Sequence, residues 1–211
     1  MATNYGTAPN VTNGLVLFYD PGNDTSYPGS GTSITSLLNE NTGTLTNTAF
    51  SSANGGSLTF NGSAYITMTN INLSGEFTFC FWVYPNAFNF AAIGDSNSTN
   101  WLRIYSATRT DLDLANTQHQ WESGVTFTTG EWQHIVLRRD SSNVCTIFRN
   151  GIHYTNNAPT KSGTWGPLFK IGEKANGNRL NGNLGPTQLY DRSLSVDEVN
   201  KIYNSAKGRF A

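Results

Sequence analysis

The 211-residue chain has little charge: Asp, Glu, Lys and Arg together make up 13% of it, and the formal net charge is −1. It contains no run of basic residues, which makes nucleic acid and anionic membrane surfaces poor partners. No stretch approaches the ~20 consecutive apolar residues that a transmembrane helix needs. We therefore expect a globular domain with no nucleic-acid partner and no membrane insertion.

Cysteine is scarce as well. Cys80 and Cys145 are the only two, and neither has the C-x-x-C or Cys/His spacing of a zinc site. The first 14 residues, MATNYGTAPNVTNG, lack the basic and apolar segments of a secretory signal. We therefore expect no signal peptide, synthesis in a reducing host cytoplasm, and two buried free thiols.

Common catalytic motifs are also missing. The sequence has no G-x-S-x-G nucleophile elbow and no Gly-rich loop that opens a helix. The one carboxylate pair with a suitable spacing is Asp111 and Asp113. On a strand the two would project from the same face, about 7 Å apart along the chain, and a retaining glycosidase holds its two carboxylates ~5–5.5 Å apart.

Gly, Asn, Ser and Thr are abundant, a composition typical of short strands joined by turns. The stretch from Gly130 to Tyr154 predicts a three-stranded meander. Its turns are placed at residues 140–143 and at Asn150-Gly151, because these residue types accept left-handed backbone geometry. His134 lies in the first of these strands and is expected to be a hydrogen-bonded structural residue.

The clearest single strand runs from Glu76 to Pro85. It carries large apolar side chains on both faces, which predicts a central strand. Near the C-terminus, Ser195 and Glu198 form a capping box, and apolar residues at helical spacing follow, so one helix is predicted over 195–206. The pattern predicts an all-β, antiparallel two-sheet jelly-roll sandwich of about 12 to 14 strands with one short C-terminal helix.

The sequence resembles the concanavalin A-like lectin/glucanase superfamily, in particular its laminin-G-like jelly rolls. The motifs that carry the resemblance are FTFCFWVYP (77–85), GEWQHIV (130–136), FRNG (148–151), FKIG (169–172) and YDRSLS (190–195) with Glu198. GLVLFYD (14–20) and SSANGGSL (51–58) resemble the versions carried by phage-borne members. The resemblance implies a concanavalin A-like domain over residues 13–211. Residues 1–12 are polar and contain Pro9, so they are predicted to form a flexible N-terminal arm.

The glucanase branch of this superfamily carries Glu-x-Asp followed by a second Glu on its concave sheet. In this chain Asp111-Leu112-Asp113 is followed by Leu114-Ala115-Asn116, so the third carboxylate is missing. We therefore predict no catalytic residues and no enzymatic activity.

Carbohydrate binding calls for an aromatic ring that stacks on a sugar, with polar groups beside it for the hydroxyls. Trp101, Arg103 and Tyr105 lie on one face of a short predicted strand, and Trp121 lies in a predicted loop with Gln118 and Gln120. We predict Trp101, Arg103, Tyr105 and Trp121 as carbohydrate-binding residues. The alternative is that these side chains belong to the core or to a subunit contact.

A metal site is the other candidate. Asp20, Asn23 and Asp24 follow the first predicted strand, and carboxylate and amide oxygens are the ligands that calcium prefers. Members of the laminin-G-like group often bind calcium on loops, so the resemblance implies calcium here, with no other cofactor. The alternative is that these residues only shape a turn.

The leading functional interpretation is a non-enzymatic phage surface protein, either a capsid decoration or a fibre or tail attachment module. Its partners would be capsid or tail proteins, it would act as a homo-oligomer on the virion surface, and it would bind host cell-surface glycans weakly, with several copies acting together. The alternatives are a soluble carbohydrate-binding lectin and, third, a glycoside hydrolase.

Overall fold

The computed structural model describes residues 10–38, 41–175 and 177–210. These residues form two eight-stranded antiparallel sheets and one α-helix, so the predicted all-β sandwich is confirmed. The elements are β1 (Leu15–Tyr19), β2 (Ser33–Thr35), β3 (Thr42–Thr46), β4 (Ala49–Ser51), a 3-10 turn (Ala53–Gly55), β5 (Ser57–Asn61), β6 (Tyr65–Leu73), β7 (Phe77–Pro85), β8 (Phe90–Gly94), β9 (Trp101–Ile104), β10 (Thr110–Leu114), β11 (Thr117–Trp121), β12 (Gln133–Arg139), β13 (Cys145–Arg149), β14 (Ile152–Tyr154), β15 (Trp165–Ile171), β16 (Asn181–Tyr190) and α1 (Val196–Phe210).

The first sheet has the order β14-β13-β12-β7-β16-β5-β4, with β1 paired to β16. The second sheet has the order β11-β10-β9-β8-β15-β6-β3-β2. The main core lies between the two sheets, and a second apolar layer lies between the first sheet and α1. Among the described residues, no helix is long and apolar enough to cross a membrane.

Strand β7 is central, as its composition predicts. It pairs with β12 on one side and β16 on the other. Phe79 and Phe81 point into the main core, while Cys80 and Trp82 point outward and lie beneath α1. Both faces of this strand are therefore covered by apolar material.

The predicted meander is confirmed as β12, β13 and β14. In the first turn the carboxylate of Asp140 accepts hydrogen bonds from the backbone amides of Ser142 and Val144, both at 2.9 Å. In the second turn Asn150 and Gly151 both have positive φ, 50° and 82°. Both free thiols, Cys80 and Cys145, are buried.

The capping box of α1 is present. The Ser195 hydroxyl accepts a hydrogen bond from the Glu198 amide at 3.2 Å, and the Glu198 carboxylate accepts one from the Ser195 amide at 2.8 Å. The helix ends at Phe210, four residues later than predicted. Tertiary packing explains the extension, because the Phe210 ring lies 4.7 Å from Trp82 and 4.5 Å from Trp132.

One predicted loop is a strand. Residues 117–121 form β11, the edge strand of the second sheet, which pairs with β10. The two strands are joined by Ala115 and Asn116, which have φ values of 53° and 60°. This is a two-residue hairpin turn without the glycine that usually identifies one in a sequence.

Residues 1–9, most of the predicted N-terminal arm, lie outside the described residues. Asn10 and Val11 contact the sandwich: the Asn10 side chain donates a hydrogen bond to the Lys201 carbonyl, and the Val11 carbonyl accepts one from the Tyr190 hydroxyl. Val11 is also buried. The packed domain therefore includes residues 10 and 11.

Candidate functional site

The outer faces of the two sheets differ. Helix α1 covers the first sheet through a buried apolar layer that includes Val136, Phe148, Val199 and Ile202. In the described part of the chain, no helix lies on the outer face of the second sheet. This second face carries most of the residues that the sequence predicts for sugar binding.

Two rows of side chains cross the second sheet at its β9–β11 end. Arg103, Asp111 and Gln120 are directly paired across the three strands, and so are Trp101, Asp113 and Gln118. Directly paired residues of antiparallel strands project from the same face. We call this surface the β9–β11 face; it consists of these six residues together with Tyr105 and Arg109, which flank the β9–β10 turn.

Asp111 is the centre of the β9–β11 face. It is fully buried, and two arginines share its carboxylate. Arg109 Nε donates to Oδ1 at 2.6 Å, Arg109 Nη2 donates to Oδ2 at 3.1 Å, and Arg103 Nε donates to Oδ2 at 3.1 Å. A further bond from Arg103 Nη2 to Oδ2 completes the cluster. Two guanidinium charges against one carboxylate leave one positive charge, and the hydrogen bond to Asp111 raises the pKa of Arg109.

Tyr105 presents the only strongly exposed aromatic ring of the β9–β11 face, with 39% of its surface accessible. Arg109 Cζ lies 4.1 Å from the ring centroid and Arg103 Cζ lies 4.9 Å from it. These are cation–π distances. The two arginines therefore fix the position of this ring.

Trp101 is on the predicted face, but its ring is covered, with 2% of the residue exposed. Lys174 Nζ lies 3.8 Å from the ring centroid, and Arg103 Cζ lies 5.1 Å from it. The indole N–H donates to the Ser98 carbonyl at 3.2 Å. The prediction that Trp101 offers a stacking surface to a sugar is thus corrected, because cations cover the ring.

Trp121 is not on the β9–β11 face. Gln118 and Gln120 project outward, so the alternation of β11 turns Trp121 into the core, where it is 1% exposed. Its indole N–H donates to the Asn156 carbonyl at 2.9 Å. A loop has no alternation of inward and outward side chains, so the loop predicted for residues 117–121 did not indicate that Trp121 points into the core.

A groove borders the β9–β11 face. It has a volume of about 350 Å³ and is lined by Arg109, Gln120, Trp121, Glu122 and Asn157. Guanidinium, amide and carboxylate groups line it, a mixture of hydrogen-bond donors and acceptors. A groove of this size and polarity is suited to a small polar ligand or to one residue of a chain-like one.

Asp113 differs from Asp111. It is 6% exposed, its Oδ1 has no hydrogen-bond partner in the described ranges, and burial raises its pKa. Asp111, which a glycosidase would need as the second carboxylate, has both oxygens occupied by arginine. The pair therefore lacks the freely accessible nucleophile of a retaining glycosidase.

A further cluster continues the pattern of buried carboxylates under cations. Glu173 is fully buried and pairs with Lys170 and with Arg179, each at 2.7 Å. The loop that carries Glu173 also carries Lys174, which lies over Trp101. Arg103 on β9, Arg109 at the β9–β10 turn, and Lys174 and Arg179 thus present cations to solvent from one side of the second sheet.

The predicted calcium ligands form a structural ion pair and a turn. Asp20 is buried, and its oxygens accept hydrogen bonds from Arg209 at 2.8 and 3.0 Å and from the Gly22 amide at 3.0 Å. The Asn23 side chain caps the turn by accepting from the Thr25 amide, and Asp24 is exposed. Arg209 is the counter-ion of Asp20, so the calcium prediction at Asp20, Asn23 and Asp24 gains no support. In the described residues no group of three or more His, Cys, Asp or Glu side chains is arranged to hold a metal ion.

His134 is buried beneath α1 and packs against the rings of Trp82 and Tyr203, at centroid distances of 5.3 and 5.9 Å, and these two rings also contact each other at 5.7 Å. Neither ring nitrogen has a hydrogen-bond partner within the described residues, so the predicted hydrogen bonding is wrong. Burial lowers the pKa of His134 to about 3. This histidine is a neutral packing residue near neutral pH.

Sequence reasoning missed two cations at this surface: Arg109, which belongs to the β9–β11 face, and Lys174, which lies over Trp101. Arg109 lies two positions before Asp111, a spacing that places opposite charges on one face of an extended segment and could have identified it. Lys174 has no such signal, because it reaches the ring of Trp101 from a distant part of the chain.

The Laminin_G_3 family, described as the concanavalin A-like lectin/glucanases superfamily, matches residues 60–200. No curated protein matches the chain significantly.

Solved structures share the fold at low sequence identity. Domain 4 of the GH43 extracellular arabinanase AbnA from Geobacillus stearothermophilus, solved with arabinotriose, has a TM-score of 0.71 and 16% identity over 90% of this chain and 98% of that one. The binding domain of Paraclostridial Mosquitocidal Protein 1 has a TM-score of 0.61 and 16% identity over 91% of this chain and 52% of that one. A Trypanosoma rangeli sialidase has a TM-score of 0.64 and 14% identity over 92% and 33%. The chain thus spans nearly all of the arabinanase domain, about half of the toxin domain and a third of the sialidase.

Proposed function

Because the chain belongs to the concanavalin A-like lectin/glucanases superfamily, we propose that it is a non-enzymatic glycan-binding domain whose β9–β11 face contacts the sugar. The observation that carries the proposal is the pair of rows across β9, β10 and β11, which place amide and guanidinium groups beside a polar groove. The shared fold with an arabinanase domain solved with arabinotriose supports the choice of ligand class.

The recognition chemistry follows from the side chains. Gln118 and Gln120 are exposed, and each amide offers donors and an acceptor to sugar hydroxyls. Arg109 Nη1 makes no hydrogen bond to any described residue and is a free donor at the groove. Arg103 and Arg109 lie over part of the Tyr105 ring, and the 39% of this residue that stays exposed offers an apolar contact to a pyranose. These groups replace the tryptophan platform that the sequence suggests.

The absence of catalysis is also a proposal. Asp111 is held by two arginines and is fully buried, so it is a structural counter-ion rather than a nucleophile. Asp113 has no second free carboxylate opposite it on the β9–β11 face. Binding without hydrolysis is the activity that this arrangement supports.

We further propose that the domain acts on a virion surface, as a capsid decoration or a fibre or tail attachment module, in several copies. This step is supported by the resemblance of residues 14–20 and 51–58 to phage-borne members. Single shallow sites of the kind seen on the β9–β11 face gain overall affinity when several copies bind together.

Glycan binding is tested with the intact chain and immobilised polysaccharides, including arabinan, a β-glucan and polygalacturonate. We expect binding to at least one of them with no release of reducing sugar. Gln118→Ala combined with Gln120→Ala should weaken binding about ten-fold, the loss of one to two net hydrogen bonds. Asn204→Ala, which removes an exposed amide from α1 on the other side of the molecule, is the control. Binding to none of the polysaccharides, or an equal loss in the control, contradicts the proposal, and hydrolysis contradicts its non-enzymatic part.

The virion proposal is tested by mass spectrometry of gradient-purified phage particles from cells that carry the gene. We expect the chain in the particle fraction at many copies per particle. Its presence in the lysate with none in the particles contradicts this part and leaves glycan binding intact.

A further inference from the structure

We infer that the β9–β11 face selects acidic glycans, meaning sugars that carry carboxylate or sulfate groups; the inference rests on the proposed function. The carboxylates of Asp95, Asp111, Asp113 and Glu173 are all buried, whereas Arg103, Arg109, Lys174 and Arg179 are partly exposed. A ligand approaching this side of the second sheet therefore meets cations first.

The central cluster keeps a surplus charge. Arg103 and Arg109 share the carboxylate of Asp111, so these three side chains together carry one positive charge. Both side chains keep part of their surface in solvent, and Arg109 Nη1 is free to donate toward the groove. Guanidinium groups bind carboxylate and sulfate oxygens through charge-assisted hydrogen bonds that are stronger than neutral ones.

The aromatic groups lead to the same conclusion. Lys174 covers the ring of Trp101 at 3.8 Å, so the ring that a neutral sugar would stack on is hidden. Tyr105 remains exposed, and its ring lies beside the two arginines. The surface thus offers positive charge and amides over most of its area and one ring at its end.

A glycan fits this surface better than a nucleic acid. The net charge of the chain is −1, and no basic run extends the cationic patch to the length of a nucleic-acid backbone. Gln118 and Gln120 continue the rows with groups suited to hydroxyls. Acidic sugars carry both anionic groups, which the arginines can bind, and hydroxyl groups, which the glutamine amides can bind.

One exposed carboxylate in the groove would repel an acidic glycan, so its removal tests the inference. Glu122 lines the groove beside Arg109 and Gln120, and its side chain is exposed. It makes no side-chain hydrogen bond to a described residue, so Glu122→Gln removes a negative charge without breaking a buried pair. The substitution should strengthen binding to an acidic glycan about two- to five-fold, the range of one exposed charge pair.

The experiment measures binding of the intact chain to polygalacturonate and to its methyl ester, two polymers with the same backbone, in low and in moderate salt. We expect the acid form to bind at least about ten-fold more tightly, with the difference shrinking as salt rises. Arg109→Gln should weaken binding to the acid form and Glu122→Gln should strengthen it. Lys201→Gln, which removes one exposed cation from α1, should leave it unchanged.

The outcomes separate the two proposals. Equal affinity for the acid and its ester, with Gln118 and Gln120 still required, overturns the acidic preference and leaves glycan binding standing. No binding to any polysaccharide overturns the proposed function itself. Equal weakening by Arg109→Gln and Lys201→Gln, or tighter binding to single-stranded DNA than to polygalacturonate, shows unspecific charge attraction and also overturns the inference. If Arg109→Gln fails to fold, Glu122→Gln still tests the inference, because Glu122 is exposed and its replacement breaks no buried ion pair.

Discussion

Replacement of Asp111 by Asn is expected to lower the free energy of unfolding by about 3 kcal/mol, the loss that follows when a buried ion pair loses one partner. The carboxylate is fully buried and accepts hydrogen bonds from two arginines. Asparagine has one acceptor oxygen and no charge, so Arg103 and Arg109 would face each other without a counter-ion. Glycan binding should fall with it, because the two arginines position Tyr105.

Asp113→Asn is the matched control, two residues away on the same strand. Asp113 makes no salt bridge within the described residues, and burial raises its pKa, so its charged form is already disfavoured. We expect this variant to change the free energy of unfolding by less than about 1 kcal/mol, or to stabilise the fold. Urea unfolding at neutral pH measures the free energy of unfolding of both variants and of the wild type. A similar loss in the two variants would show that Asp111 is not the special counter-ion of the β9–β11 face.

Acidification is expected to destabilise the protein through His134. In the unfolded chain this histidine titrates near its ordinary pKa of 6.5, whereas in the folded chain burial lowers the pKa to about 3. Between these two values the unfolded state binds more protons, so the free energy of unfolding decreases as pH falls from 6.5 toward 3. The two pKa values correspond to a total loss of at most about 5 kcal/mol, complete below pH 3.

His134→Phe isolates this contribution. The ring packs against Trp82 and Tyr203, and neither of its nitrogens is hydrogen-bonded in the described residues, so an apolar aromatic ring such as Phe loses no hydrogen bond here and cannot take up a proton. At pH 7 the variant should be as stable as the wild type or more so, and its stability should fall less between pH 6.5 and 5. His119 and His153, whose pKa values are also lowered by burial, remain in the variant and keep their smaller contributions. An unchanged pH dependence in His134→Phe would contradict burial of this histidine in its neutral form.

Local patterns predict much of the fold. The alternation of Phe77 to Pro85 identifies a central strand, Asn150-Gly151 identifies a hairpin, and Ser195 with Glu198 identifies the start of α1. In each case the signal depends on residues that are neighbours in sequence, and the tertiary structure agrees with them.

The site is harder to predict because its chemistry depends on distant contacts. Asp20 looks like a calcium ligand until Arg209, 189 residues later, supplies its counter-ion. Trp101 looks like a sugar platform until Lys174 covers it. The sequence predicts Trp121 in a loop for a local reason: the Ala115-Asn116 turn lacks the glycine that usually identifies a hairpin. The alternation of residues along one strand does not predict which cation of another element will contact that strand.

The most direct test of glycan binding by the β9–β11 face is to map backbone amide NMR shifts while titrating the intact chain with a short oligosaccharide of the polymer that binds best. The competing location is the aromatic groove of about 370 Å³ formed by Trp82, Trp132, Asn150, Tyr203, Lys207, Gly208 and Phe210 on the opposite side of the molecule. We predict saturable shifts in residues 101–122, strongest near Tyr105, Arg109 and Gln120. Shifts confined to α1 and the end of β12 would place the sugar in the aromatic groove and contradict this account.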